Sequence, residues 1–243
     1  MTFLLFAAVV LGGVAQRLTG MGLALVSVPL IVVAVGPGPG AVIGNLFGAA
    51  ASAIVFFRVR KIVEWRLLSV ILPAGLVGVA AGTVVAEMIS IAWAQVVVGG
   101  LVLLSLPLSS LVARMRPAPR TVGVLGSLAL VSGATSSLAG IGGPAMAVMR
   151  NLTRWDPVSF AATLQPFFMV IGSLSVVARV GVDPGVWPDL GALWVGIALA
   201  LLAGLALGDV VSRRMTPRAT TLAISSVASL GAAWTLLRGV TSI

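Results

Sequence analysis

Apolar runs, most of them close to 20 residues long, follow one another from end to end of this chain with only short charged turns between them. They extend approximately over Thr2 to Val35, Ala41 to Phe57, Leu67 to Ala86, Trp93 to Ala113, Thr121 to Met149, Pro157 to Ala178, Leu190 to Val211 and Ala219 to Leu237. A crossing helix needs about 20 residues, and lipid tolerates only helices or closed barrels because it cannot hydrogen-bond an exposed backbone. These runs do not alternate as barrel strands do, so the expected fold is an all-α polytopic membrane protein. With 243 residues, of which 59% are hydrophobic and 9% charged, nothing is left over for a large extramembrane enzyme.

The missing residue types narrow the function further. The chain has no cysteine and no histidine, which removes disulfides, thiolate metal sites, thiol nucleophiles, the usual neutral-pH base and the commonest metal ligand. No cofactor is expected, and an enzyme has little support without a cluster of nucleophile, base or metal ligands. The net charge of +9 is spread over short turns and forms neither a stripe nor a tail, so it reads as anchoring of loops at the cytoplasmic face of a lipid bilayer rather than as a nucleic-acid surface. The first segment has no basic leader, and Arg17 lies inside it, which does not fit a cleaved signal peptide.

The chain repeats itself. Gly13, Leu18, Gly20 and Gly22 recur 120 residues later as Gly133, Leu138, Gly140 and Gly142, and the same offset sets Asn45 against Gln165 and Phe47 against Phe167. An offset of 122 then aligns Trp65 with Trp187, Gly82 with Gly204 and Glu87 with Asp209. A duplication into an N-terminal transmembrane repeat over 1–116 and a C-terminal one over 117–243 accounts for the common order of these matches.

Charge orients the two copies. Basic residues crowd four turns: Arg58 to Arg66, Arg114 to Arg120, Arg150 to Arg154 and Arg213 to Arg218. If all four are cytoplasmic, the region from Arg120 to Arg150 must enter and leave on one side, as a hairpin folded at Ala139 to Gly143 would. Each half is then a glycine-broken helical hairpin plus three transmembrane helices, an odd count that inverts the second copy, as in many secondary transporters. Eight simple crossings with parallel halves are the alternative, and they place the Arg213 to Arg218 turn outside.

Broken helices leave backbone amides unpaired, and helix N-termini that face one another favour an anion. The candidate substrate-binding residues are therefore Gly20, Gly22, Gly140, Gly142 and Gly143 in the breaks, with Gln16, Arg17, Thr19, Ser136 and Ser137 beside them. Asn45 and Gln165 on the following segments each offer amide hydrogens to an oxyanion. For any single glycine the plainer account is tight helix packing, and Arg17 has a plainer account in snorkelling to the headgroups. Glu87 and Asp209 end equivalent segments; interfacial caps or ion pairs suit that position, and a coupling or gating role is the alternative.

At this point the hairpins carry a resemblance. Gly13-Val14-Ala15-Gln16-Arg17-Leu18-Thr19-Gly20-Met21-Gly22 followed by Val28-Pro29-Leu30, and Ser132-Gly133-Ala134-Thr135-Ser136-Ser137-Leu138-Ala139-Gly140-Ile141-Gly142-Gly143-Pro144, resemble the two signature regions of the sulfite exporter TauE/SafE family of permeases. The resemblance implies a multi-pass protein of the bacterial inner membrane that moves small sulfur-containing anions such as sulfite, thiosulfate, sulfoacetate or related organosulfonates. It also implies export in many cases and an ion gradient as the driving force, with the proton as candidate coupling ion. The first hairpin departs from the pattern, since Gly22 is followed by Leu23 and Ala24 where the family often has a third glycine and a proline. The expectation is thus alternating access around a small oxyanion, against two alternatives: a passive anion channel and a non-transporting membrane assembly subunit. Nothing in the sequence specifies substrate, direction of flux or oligomeric state.

Overall fold

The structure, a computed structural model, describes residues 2–19, 22–212 and 217–242. It is all helical: α1 (Thr2–Thr19), α2 (Gly22–Val35), α3 (Pro37–Val59), α4 (Trp65–Met88), α5 (Ile91–Arg114), α6 (Val122–Ala139), α7 (Gly143–Thr153), α8 (Pro157–Val182), α9 (Leu193–Ser212) and α10 (Pro217–Thr241), with a 3-10 turn at Pro184–Val186. Six of these, α3, α4, α5, α6, α8 and α9, are long and apolar enough to cross a membrane. The protein is a multi-pass membrane protein. Large apolar side chains such as Phe57, Val84, Leu104 and Leu199 are exposed on its flanks, where hydrocarbon rather than water is the compatible neighbour.

Local chemistry sets the helix boundaries. Ser90 and Thr121 accept backbone N–H bonds from Trp93 and Val124 at the starts of α5 and α6, and Asp156 accepts from Val158 and Ser159 at the start of α8. Pro37 and Pro157 sit in the first turns of α3 and α8, where a missing N–H costs nothing. The anticipated breaks are present in both halves: α1 stops at Thr19 and α2 begins at Gly22, while α6 stops at Ala139 and α7 begins at Gly143. Gly20 and Met21 between the first pair, and Arg213 and Arg214 of the fourth basic turn, lie outside the described residues.

In the second half the break has a visible mechanism. Gly140 adopts φ 72° and its N–H returns to Ser136 O at 2.8 Å, while the N–H of Ile141 reaches Thr135 O at 3.3 Å. This is a left-handed helix ending that favours glycine. The second arms are short: α2 has 14 residues and α7 has 11, hence lengths of about 21 and 16 Å, less than the ~30 Å hydrocarbon core. Each second arm is too short for a simple crossing.

Several helix contacts come in pairs that exchange the two halves. The first arm α1 lies along α9 and the first arm α6 along α4; the second arm α2 lies on α10 and the second arm α7 on α5; α3 meets α8 and α5 meets α10. Each hairpin therefore packs on helices of the other half. Glycine makes the tightest seam possible: Cβ atoms placed on Gly78 and Gly133 would run into the backbone at Leu130 and Gly75. All four buried apolar clusters draw on both halves, as in Leu68, Ile71, Met146 and Phe167, or Leu5, Ile43, Ile197 and Leu201.

The contacts also order the two hairpins along α3. Gly44 and Gly40 of α3 face Val28 and Val32 of α2, so α2 runs antiparallel to α3, and Gln16 near the end of α1 meets Ser52 of α3. The tip of the second hairpin reaches α3 at Ala41 and Asn45 through Gly140 and Ser136. Gln16 of the first hairpin and Ser136 of the second thus pass one another along the middle of α3.

Candidate functional site

Between the two hairpins lies a cavity of about 30 Å³ lined by α1, the first turn of α2, α3, the α6/α7 break and α8. Its polar groups come from Gln16, Asn45, Ser52 and Ser136, its close backbone from Gly44, Gly48, Gly140, Gly142, Gly143 and Gly172, and Phe168 forms part of the apolar wall. A water needs only about 10–15 Å³ by this measure, so the space suits a few heavy atoms and excludes large organic molecules.

Four hydrogen bonds and a repeat define the geometry. Asn45 Nδ2 donates to Ser136 O at 2.7 Å and Ser136 Oγ donates to Asn45 Oδ1 at 2.8 Å. Across the cavity, Gln16 Nε2 donates to Gln165 Oε1 at 3.5 Å and to Ser52 Oγ at 3.5 Å. The offset of 120 that relates Asn45 to Gln165 also relates Gln16 to Ser136. Each hairpin tip thus binds the amide of the other half's following helix. The same offset pairs Ser52 with Gly172 and Gly48 with Phe168, and all four of these line the cavity.

Electrostatically the cavity is neutral in formal charge and positive in dipole. No charged side chain lines it among the described residues. Leu23 and Ala24 bring the first turn of α2 to it, and Gly142 and Gly143 bring the start of α7. The N-terminal ends of two helices carry positive partial charge. Gln16 Oε1 accepts the N–H of Leu23 at 3.3 Å, whereas the α7 start has a glycine cap with no side-chain acceptor. A small anion is the ligand such an arrangement favours.

The sequence-derived candidates separate into groups. Gln16, Asn45, Ser136, Gly140, Gly142 and Gly143 line the cavity, and Gln165 stands directly behind, bonded to Gln16 and to Ala161 O at 2.7 Å. Ser137 is buried but turned to Thr83, at 2.7 Å between hydroxyls on α6 and α4. Arg17 is not brought to Asn45 and Gln165; it is ion-paired with Asp209 of α9, which also meets Arg58 at 3.4 Å. Gly20 and the side chain of Thr19 lie outside the described residues, and of Gly22 only its place at the start of α2 is described.

Glu87 accepts a bond of 2.6 Å from Arg179 Nη1. Both acids at the segment ends are therefore in ion pairs, and both pairs join one half to the other. Asp209 and Glu87 are equivalent at offset 122, and Arg179 and Arg58 stand 121 residues apart, so the pairs are near-equivalents in the repeat.

Sequence reasoning missed Ser52, Gly44, Gly48, Phe168 and Gly172. Helical spacing carried the signal: Ser52 is seven residues from Asn45, and Phe168 and Gly172 are three and seven from Gln165, which puts each on the face of its neighbour. It also passed over Arg179, a buried cation at the end of α8.

The family model described as Sulfite exporter TauE/SafE matches residues 5–235. No curated protein and no solved structure gives a significant match.

Proposed function

The chain belongs to the sulfite exporter TauE/SafE family, and from that premise and the cavity between the two hairpins we propose that it carries small sulfur-containing anions across the bacterial inner membrane by alternating access. The observation that carries this reading is the matched pair of cross-half contacts, Ser136 with Asn45 and Gln16 with Gln165, around a cavity touched by the starts of α2 and α7. Neutral amides, hydroxyls and helix dipoles bind an anion without trapping it as a fixed counter-charge would. That weak, multipoint hold suits release on the far side.

Substrate binding is assigned to Gln16, Asn45, Ser52, Ser136 and Gln165, with the backbone of Gly140, Gly142 and Gly143. The passing of Gln16 and Ser136 along α3 supports hairpins that enter from opposite faces, hence inverted repeats with a boundary near residue 116. Rocking one half against the other would open the cavity to each side in turn, with the inter-half pairs Glu87–Arg179 and Asp209–Arg58 as ties that part alternately. Arg17 belongs to the second tie.

The test is flux of sulfite, thiosulfate, sulfate and sulfoacetate into liposomes holding the purified protein, with a proton gradient on or off. Saturable flux that follows the gradient is expected. Flux linear in concentration would indicate a passive pore, and no flux of any of the four would point to an assembly role.

A further inference from the structure

The central cavity does not use the most unusual polar groups in the molecule. Ser175 Oγ and Arg179 Nε on α8 are buried and have no hydrogen-bond partner. The Arg179 side chain is 8% exposed and Ser175 is fully buried. A buried cation in a membrane helix is costly unless it is paired, and a buried hydroxyl without a partner loses the hydrogen bonds it had in water. Glu87 satisfies Arg179 at Nη1 only, from a carboxylate that is itself 38% exposed.

Their placement is ordered. Gln165, Phe168, Gly172, Ser175 and Arg179 are spaced by three and four residues and so share one face of α8. Phe168 and Gly172 line the central cavity, and Arg179 lies two turns beyond Gly172, about 10 Å along the helix. The same face of α8 is packed on α3, with Gly172 against Asn45 and Ala49, and Arg179 beside Gly38. Gly38 is in the first turn of α3, where the helix dipole is positive. Guanidinium and hydroxyl thus share one face of α8, one turn apart, with the start of α3 beside the guanidinium and one carboxylate bonded to it.

We propose that Ser175 and Arg179 form a second anion station on the α3–α8 seam, through which the transported anion passes between the central cavity and the end of the bundle where α3 begins. Glu87 occupies Arg179 when the station is empty and yields it to an arriving oxyanion. The proposal rests on the anion-transport reading for its cargo, but the station itself is an anion site whatever the cargo is. In the first half Val55 stands where Ser175 does, and Arg58, the near-equivalent of Arg179, is 63% exposed, so the buried pair of hydroxyl and guanidinium belongs to one end of the pathway.

The natural absence of cysteine makes the test clean. Ser175→Cys is introduced into the full chain in liposomes and treated with an anionic sulfonatoethyl and a cationic trimethylammonioethyl methanethiosulfonate. The anionic reagent should react at least about tenfold faster, and sulfate should slow it, because a favourable charge concentrates the anion at the thiol. Adding Arg179→Gln should bring the two rates together. Adding Glu87→Gln should widen the preference, and this variant carries the test if the Arg179 variant does not fold. No modification by either reagent, or equal rates for the two, overturns the station. Wild-type protein that moves none of the four anions while the thiol keeps its anion preference refutes the transport reading alone; transport together with equal rates refutes the station alone.

Discussion

Asn45 on α3 and Ser136 at the tip of the second hairpin bind each other twice, amide to backbone carbonyl at 2.7 Å and hydroxyl to amide carbonyl at 2.8 Å. One half's helix thereby holds the other half's break in position beside the cavity. Asn45→Ala leaves the buried Ser136 hydroxyl without its acceptor, while Ser136 O keeps the N–H of Gly140, at a cost of about 1–3 kcal/mol. Anion flux at low substrate should fall at least about tenfold, while the protein stays folded by size exclusion and circular dichroism. Gln165→Ala should act the same way through Gln16. Unchanged flux in both variants would sink the assignment of the cavity.

The α4–α6 seam tests the packing independently of the cavity. A Cβ on Gly78 or Gly133 meets helix backbone, whereas one on Gly100 or Gly123 meets nothing within 4 Å. Overpacking of this kind costs about 1–3 kcal/mol or more, so Gly78→Ala and Gly133→Ala should lower the melting temperature by several degrees. Gly100→Ala and Gly123→Ala should leave it where it is. Equal melting temperatures across the four variants would contradict the observed seam.

Asp209 separates stability from turnover. Its pair with Arg17 is exposed on both sides, at 32% and 39%, and such pairs contribute about 0–1 kcal/mol. Asp209→Asn should therefore shift the melting temperature by no more than about 4 °C. If Asp209 ties the halves, turnover should change roughly threefold or more with little change in KM. A variant with wild-type turnover removes Asp209 from the gating scheme.

The lining predicts a flat pH dependence for binding. Amides, serine hydroxyls and backbone do not titrate between about pH 6 and pH 9, and no charged side chain lines the cavity among the described residues. The KM for thiosulfate should stay constant over that range at fixed driving force. A KM that rises through it would require a titratable group at the site.

Asp156 supplies a pH prediction outside the spans. The backbone N–H of Ser159 is the main cause holding its carboxyl below the usual 3.8, with Val158 and Arg150 adding to it. A carboxyl lowered in the folded state stabilises above its unfolded pKa, and that contribution is lost as pH falls through the folded value. The wild type should melt above Asp156→Ala at neutral pH, and the two curves should converge once pH has fallen below the lowered folded pKa. A gap that persists at that pH would mean the cap does not act through its charge.

Part of the cavity lining was legible because the internal matches of the sequence pair chemistry with position. Asn45 and Gln165 stand out as amides at the same offset that aligns the glycine breaks, and both end beside the cavity. Arg17 was not legible in that way. Its distance from Asp209 in the chain is 192 residues, and only the packing of α1 on α9 turns a candidate substrate ligand into half of an ion pair. Ser52, Gly172 and Arg179 needed a helix phase, which short motifs do not supply.

What the sequence by itself determined is the kind of solvent and the kind of segment. Long apolar runs must be helices in lipid because backbone amides have no other partner there, and glycine at Gly140 marks where a helix can reverse. Only the tertiary structure decided which half each hairpin binds. Helix-to-helix contact in a membrane depends on close fit between particular surfaces, and a fit such as Gly78 on Leu130 or Arg179 beside Gly38 exists only once both helices are in place.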